Sequence, residues 1–535
     1  GKYAKDKLVV NFITKQYRYG GYVQADGLQT IGYDHGDYNV ATNYVKGNNS
    51  YTVFAGANYS HVDGTETWNN ENYQFPQSLF DRESYSKNSY RNHQEYMQFR
   101  YQNQKGKRYW MGKFTFVNLS TPRNASSGFA RESTETDIFS NIRKKSLSPK
   151  IDLNANLPLS KNQTLTLGVH GKYSANSYHR LYQEQPFETM TDEDEKALSF
   201  QLSAIYNYFS QKHSLSVELF HYHDVWNADY SGNCELWQHL WKGESLAFFS
   251  YNFQASRRLS LKTRIGLDWL QYHLHGDNSF SQLSPRINMN VQYQLNKGML
   301  LWSFNFVNSN HGMDVINRAM IQVNSHMMEK GMPELKKSHD INTYLYYMGR
   351  FNRLSVSAIG QFRYNHHPVT DDYYLDEANG KIVKTYSNGG NAQYYSAILA
   401  LQYKLCKFAN LSGDIRYNHA EVKTTWSKHN NNLTGNLGLN MFMGDFALKP
   451  YLHFGKKSLD EAALVINKTP IDYGMSCSYS RGNLYVELQA VSPFKKQEKQ
   501  YWLDLPIYSY SKSIKDQTAS QYASIKVAYS FDFGR

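Results

Sequence analysis

The segment "INMNVQYQLNKG" (residues 287–298) sets apolar side chains at Ile287, Met289, Val291, Tyr293 and Leu295 against polar ones at Asn288, Asn290, Gln292 and Gln294, then runs into a tight Asn-Lys-Gly turn. A two-residue period sends the two sets to opposite faces of a β-strand. The same period returns along the whole chain. It is clean in "KIDLNANL" (Ile151, Leu153, Ala155, Leu157), in "TLTLGVHGKYSA" (Leu165, Leu167, Val169, Tyr173), and in the runs around Leu215, Leu354, Leu399 and Leu484. Helical periodicity of comparable quality is absent, so the chain reads as all-β.

The connections alternate in length. Short turns begin at Lys46, Asn103, Leu159, Ser210, Asn296 and Ser480, and each joins two alternating segments. Between them, long polar and aromatic-rich loops are expected near residues 62–90, 120–145, 309–338, 367–391 and 493–519. Tight hairpins at one end and long excursions at the other are the asymmetry of an outer-membrane barrel, with short periplasmic turns and long extracellular loops. Counting alternating segments predicts a transmembrane antiparallel β-barrel of about 22 strands, even in number if both chain ends lie at the hairpin end.

Composition fits that geometry. The 535 residues include 45 Tyr but only 12 Pro, and 15% are aromatic, which favours strands. Mean hydropathy is negative, yet a barrel wall satisfies lipid on one face and water on the other without long apolar runs. No stretch approaches the roughly 18 apolar residues of a membrane-spanning helix, which excludes a helical membrane protein. Aromatic residues flank many apolar segments, as Tyr51 and Tyr59 flank Val53, Ala55 and Ala57, in the manner of interfacial girdles. The net charge of +12 is scattered over turns such as Lys105, Lys107 and Arg108 rather than gathered in a stripe, which argues against a nucleic-acid partner. Cys234, Cys406 and Cys477 are too few and too far apart for a disulfide framework or a zinc site.

Three stretches, "KLVVNFITKQYRYGGYVQADG" from Lys7, "GMPELKKSHDINTYLYY" from Gly331 and the terminal "VAYSFDFGR", resemble a known family, the TonB-dependent outer-membrane receptors. In "KLVVNFITKQYRYGGYVQADG", Val10, Asn11, Phe12, Ile13, Thr14 and Lys15 stand where that family ends its plug domain with a segment close to "INIITK". In "GMPELKKSHDINTYLYY", Gly331, Pro333, Glu334 and Leu335 match an element ahead of a barrel strand, with departures at Met332 and Lys337, where Asn and Pro are usual. The terminal "VAYSFDFGR" is similar to the closing strand of such receptors in Bacteroidetes-type bacteria. The resemblance implies residues 1–15 as the end of a plug and 16–535 as the barrel, with most of the plug and the TonB-contacting segment expected to precede Gly1. It further implies a Gram-negative outer-membrane location and a wall facing bilayer and lipopolysaccharide. The implied function is TonB-driven import of a scarce nutrient such as a siderophore, haem, peptide or oligosaccharide. A passive porin-like channel, with fewer strands and an inward-folded constricting loop, and a soluble glycan-binding all-β protein remain as alternatives.

Site chemistry is sparse. His221 with His223, and His273 with His275, share a face at strand spacing, the geometry of a two-ligand metal site. The parity of Leu215, Val217 and Leu219 places the first pair on the outer face, where interfacial side chains are the plainer reading. His366 and His367 are expected to open a loop, and "TDEDE" (Thr191–Glu195) reads as a solvated acidic loop. Trp226, Trp237 and Trp241 offer rings for stacking on a sugar or flat chelator, or for packing in loops. No nucleophile elbow, HExxH or phosphate-binding glycine loop is present. No catalytic, metal or cofactor-binding residue is therefore assigned, no enzyme activity is expected, and the ligand-binding residues are unknown. The closing "ASIKVAYSFDFGR", with Tyr529, Phe531 and Phe533 outward, is expected to seal the barrel against the segment that begins near Tyr17.

Overall fold

A strand with one face in lipid and one in water leaves its edges unpaired unless the sheet closes on itself. The computed structural model describes residues 19–75, 78–277, 279–309, 311–516 and 520–534, and its wall is a closed barrel of 22 antiparallel strands. Closure is made by the last strand, Tyr522–Gly534, against the first, Tyr19–Ile31, in register from Gly20↔Gly534 to Ile31↔Ala523. The two backbones come close where this seam ends. Gly20 and Gly534 both have positive φ, and a Cβ on either would strike the other strand's backbone, so only glycine suits both positions. Tyr529 and Phe531 are exposed on the outer face, as expected of the seam, and Phe533 stacks on Tyr44. Residues 1–15, and Tyr17 with them, lie outside the described residues.

The strand Asn391–Lys404 shows how alternation sets the wall. Leu399 is 46% exposed on the outside, between Tyr395 and Tyr403, while Ser396 is 6% exposed on the inside and donates to Asn418 Oδ1 at 2.8 Å. Tyrosines at either end of an apolar run make an outer band with an aromatic margin above and below. Among the described residues no helix is long and apolar enough to cross a membrane, which says nothing of strands.

Two expected loops are not loops. Residues 62–90 lie almost wholly in the strands Asn49–Phe75 and Ser78–Lys105, paired as far as Phe75↔Ser78. Residues 120–145 likewise continue Arg108–Arg131 and Glu135–Ser160, with only 132–134 between them. Above the apolar band the outer face of the wall meets water and the inner face carries charged residues such as Glu71 and Arg82, so the hydropathy signal fades while the hydrogen-bonded ladder goes on. "TDEDE" lies for the same reason inside the strand Phe187–Phe209.

These tall strands stand beside short ones. Tyr19–Ile31 and Asp34–Lys46 have 13 residues each, against 27 in Asn49–Phe75. The edge of the tall strand that they leave unpaired is taken instead by Tyr508–Asp516, from Tyr508↔Tyr73 to Lys515↔Glu66. Behind it follow Gln497–Asp504, Val465–Thr469 and Lys456–Asp460, each paired with the next. The expected loop 493–519 is thus largely sheet, and it raises the rim where the barrel strands stop early.

The segments 309–338 and 367–391 do leave the wall. They contribute the strands Met320–Gln322, Met327–Lys330, Thr370–Asp376 and Lys381–Ser387, which form a separate four-stranded sheet. Its central pairing, Met327–Lys330 with Lys381–Ser387, is parallel and joins strands from different loops.

Candidate functional site

The four-stranded sheet caps the loop end of the barrel from within. Its contacts fall on inward-facing residues from opposite sides of the wall. On one side Met313, Ile316, Ala319 and Leu335 pack against Ala228, Tyr230, Leu240 and Leu274. On the other, Met327, Tyr373 and Ile382 pack against Tyr73, Ala392, Ala420, Val422 and Tyr508. Burial of those apolar side chains is the main term holding the cap, at about 25 cal/mol per Å².

Polar contacts fix the position of the cap. Arg180 donates to the carbonyl oxygens of Gln322, at 3.0 Å, and Val323. The Arg318 backbone N–H donates to Gln238 Oε1 at 2.8 Å, and its guanidinium pairs with Asp277 at 2.7 Å. Trp426 Nε1 donates to Asp372 Oδ1 at 2.8 Å. Gly331 sits where a Cβ would run into the Asn317 carbonyl oxygen, and the next N–H, of Met332, donates to Val315 O at 2.7 Å. The Gly-x-Pro-Glu-Leu stretch is therefore the seat of the cap's single helical turn, Met313–Ile316, with Leu335 buried beneath it.

Two buried ionic clusters tie cap to wall. In the first, Arg82 is 4% exposed and donates to Glu71 Oε2 at 2.7 Å, to Glu184 Oε1 at 2.8 Å and to the Tyr182 hydroxyl at 3.1 Å. Glu71 also accepts from Tyr508 at 2.7 Å, and Glu184 accepts from Ser325 of the cap at 3.0 Å. His326 Nε2 lies 2.7 Å from Glu132 Oε1 beside this cluster. Burial alone would lower the Arg82 guanidinium, but Glu71, Tyr182 and Glu184 more than reverse that and hold it above its usual range. Burial pushes Glu184 up, and Arg82 outweighs it, leaving the carboxyl below its usual range. In the second cluster Lys337 is fully buried and donates to Asp268 Oδ2 at 2.8 Å, and Arg286 donates to the same oxygen at 2.6 Å. Lys337, one of the two departures in the family-like stretch, anchors the cap's exit to the wall.

The residues weighed from the sequence are not gathered at the cap. His221 bonds Ser245 at 2.9 Å and its ring lies 6.2 Å from that of His223, both on the outer face. His273 bonds Ser279 at 3.2 Å, and His275 meets Trp237 edge-on. Among the described residues no group of three or more His, Cys, Asp or Glu is placed to hold a metal ion. His366 ends a wall strand, and His367 opens the inward loop in left-handed backbone, φ 59°. In the acidic run, Asp192 faces outward to His179 while Glu193 faces inward and accepts from Tyr230 at 3.0 Å. Burial raises the Glu193 carboxyl. The three tryptophans diverge: Trp226 points inward under Lys242, whereas Trp237 and Trp241 sit on the outside beside histidines. They lie on strands, so a shared stacking platform does not form. Arg82, Glu71, Glu184 and Asp268 went unnoticed in the sequence; their one signal is a charge at the inward position of a strand, which a watery lumen explains equally well.

No protein-family model matches the chain, and no curated protein matches it. Solved structures do. The copper transporter OprC superposes with a TM-score of 0.68 at 10% identity, covering 96% of this chain and 80% of its own. The siderophore receptor PirA from Pseudomonas aeruginosa gives 0.59 at 12% identity, covering 96% and 81%, and the FrpB iron transporter from Neisseria meningitidis 0.61 at 8%, covering 97% and 82%. These are TonB-dependent outer-membrane receptors. This chain has their fold. At such identities the likeness extends to the 22-stranded wall and no further, so the residues that bind and move a ligand have to be argued from the chain itself.

Proposed function

We propose that this chain is the barrel of a TonB-dependent outer-membrane receptor of the Bacteroidetes type. It would lie in the outer membrane of a Gram-negative bacterium, its wall against bilayer and lipopolysaccharide. On this reading residues 1–15 end a plug domain and 16–535 form the barrel, and TonB acts through the plug. The cargo is a scarce nutrient of the siderophore, haem, peptide or oligosaccharide kind, met first at the upper surface of the cap. The observation that carries the proposal is a 22-stranded wall whose mouth is crossed by a sheet anchored on opposite sides. A gated importer needs such a barrier to diffusion.

The inward fold of 311–337 and 367–390 also favours the porin-like reading, which predicts a constricting loop but fewer strands. The test is made on the complete gene product. In planar bilayers a receptor shows no steady conductance, and in cells its uptake stops when TonB is deleted. A steady ohmic conductance with TonB-independent uptake would establish the passive channel instead. Recovery from cells in buffer without detergent would remove the membrane reading altogether.

A further inference from the structure

On the outer surface of the wall, the hairpin that carries Phe446–His453 and Asp472–Arg481 is interrupted. Its ladder stops at His453↔Asp472 and resumes at Lys456↔Thr469. Phe454 and Gly455 then oppose Pro470 and Ile471 without ladder pairing, and Thr434 Oγ1 donates to the Phe454 carbonyl oxygen at 3.0 Å to hold the break. The break opens a groove of about 960 Å³. Its floor is apolar and exposed: Ile415, Leu433, Phe454 and Ile471, with Leu433 69% exposed. Its rim is basic: Lys456, Lys457 and Lys468, with Lys457 Nζ 5.9 Å from the Trp502 ring. The adjoining pocket shares Lys468 and Ile471 and adds Lys495, Lys496 and Lys515, with Glu498 opposed to Lys515 at 4.0 Å. Phe494, next to Lys495 in the chain, is 88% exposed and stacks on outward Tyr473.

The groove straddles the upper margin of the apolar band. Below it on the same outer face come Leu437, Met475 and Cys477; just above Leu433 the wall turns polar, with Asn431 accepting from Tyr417. An apolar floor continuous with the lipid band, topped by cations with one acidic neighbour, complements an amphiphile with acyl chains below and negative charge above. Phe494, exposed beside Lys495 and Lys496, suits the same boundary, its ring among acyl chains.

We propose that this groove is a binding site for an anionic, phosphorylated lipid of the leaflet on the loop side. The acyl chains lie on Ile415, Leu433, Phe454 and Ile471, and the head-group phosphates sit among Lys456, Lys457 and Lys468. The inference rests on the outer-membrane reading above and adds to it a defined lipid site.

The test uses the full-length protein in non-ionic detergent and native mass spectrometry, with diphosphorylated lipid A, phosphatidylcholine and inorganic phosphate as probes. Lipid A adducts are expected to survive conditions that strip phosphatidylcholine. The variant K456Q/K457Q/K468Q should weaken lipid A binding on the order of 100-fold, given the contribution of each basic residue near an anionic surface. K105Q/K107Q, at the opposite end of the barrel, should leave it unchanged. Should the triple variant fail to show the heat-shifted gel migration of a folded barrel, Lys468→Gln alone and a salt titration of the wild type replace it, with binding expected to fall as salt rises. The site is overturned if the folded variant binds lipid A as the wild type does, if phosphatidylcholine binds equally well, or if inorganic phosphate displaces the lipid. Those results leave a detergent-dependent barrel intact, whereas a protein stable without detergent would remove the membrane reading itself.

Discussion

Replacing Arg82 by Met keeps much of the side chain's volume and removes its charge. Two carboxylates, Glu71 and Glu184, then remain at a site where their side chains are 5% and 9% exposed. Removing one partner of a buried ion pair costs about 3 to 5 kcal/mol, because the other charge is left without compensation. Glu184 is bonded to Ser325 of the cap, so the cost falls on the junction of cap and wall. Amide hydrogen exchange over residues 320–330 reads it directly. At about 1.4 kcal/mol per decade, protection there should drop by roughly 10² to several times 10³ if the whole penalty is local, while strands in the apolar band keep theirs. The pH dependence gives a second sign. In the wild type Glu184 titrates below its usual range, so its contribution is complete above about pH 4.3 and is lost as pH falls through the depressed value. In Arg82→Met, burial without the guanidinium raises that carboxyl, so destabilisation is greatest at neutral pH and eases as pH falls through the raised value. After correction for intrinsic exchange, acidification from pH 7 should therefore restore protection in the variant and leave the wild type flat. Unchanged protection at pH 7 in the variant, or a parallel pH response in both proteins, would refute the cluster as the cap's anchor.

Leu399→Arg should impair barrel assembly, measured by heat-shifted gel migration, with a penalty of about 2 to 4 kcal/mol near the middle of the bilayer, while Ser396→Ala on the inner face should assemble normally. Gly331→Ala should loosen the Met313–Ile316 turn, since a Cβ collides with the Asn317 carbonyl oxygen; a cost of about 1 to 3 kcal/mol is expected as faster protease nicking within 311–337. Lys337→Met should cost less than Arg82→Met, because Arg286 still donates to Asp268 Oδ2 at 2.6 Å; exchange at 331–337 should rise while that at 320–330 holds.

How far the sequence could be read depended on what each strand face touches. Ile287 to Leu295, or Tyr395 to Tyr403, lie in the apolar band, where lipid and lumen impose opposite polarities on successive residues, and there the strands and their parity were legible. The stretches 62–90 and 120–145 read as loops because the outer face of a rim strand is wet and its inner face bears charges such as Glu71 and Arg82, which leaves no apolar alternation to follow. His221 and His223 were placed on the outer face by parity alone, and the structure agrees. Arg82 could not be singled out, since an inward charge that meets water and one that meets Glu71, Glu184 and the cap look the same in one dimension.

The amino acids alone pointed to a closed sheet: period-two alternation with tight turns at every second connection, if it stands in lipid, has to close to satisfy its backbone groups. The sequence also placed the seam, since the terminal aromatic strand needs a partner and the first strand lacks one. Only the tertiary structure decided what fills the mouth and the gap in the rim. Met327–Lys330 meets Lys381–Ser387, and Tyr508–Asp516 meets Asn49–Phe75, across hundreds of intervening residues in the second case. Such pairings depend on which edges the wall leaves free. The height at which each neighbouring strand stops determines those edges, and no local pattern of polarity records it.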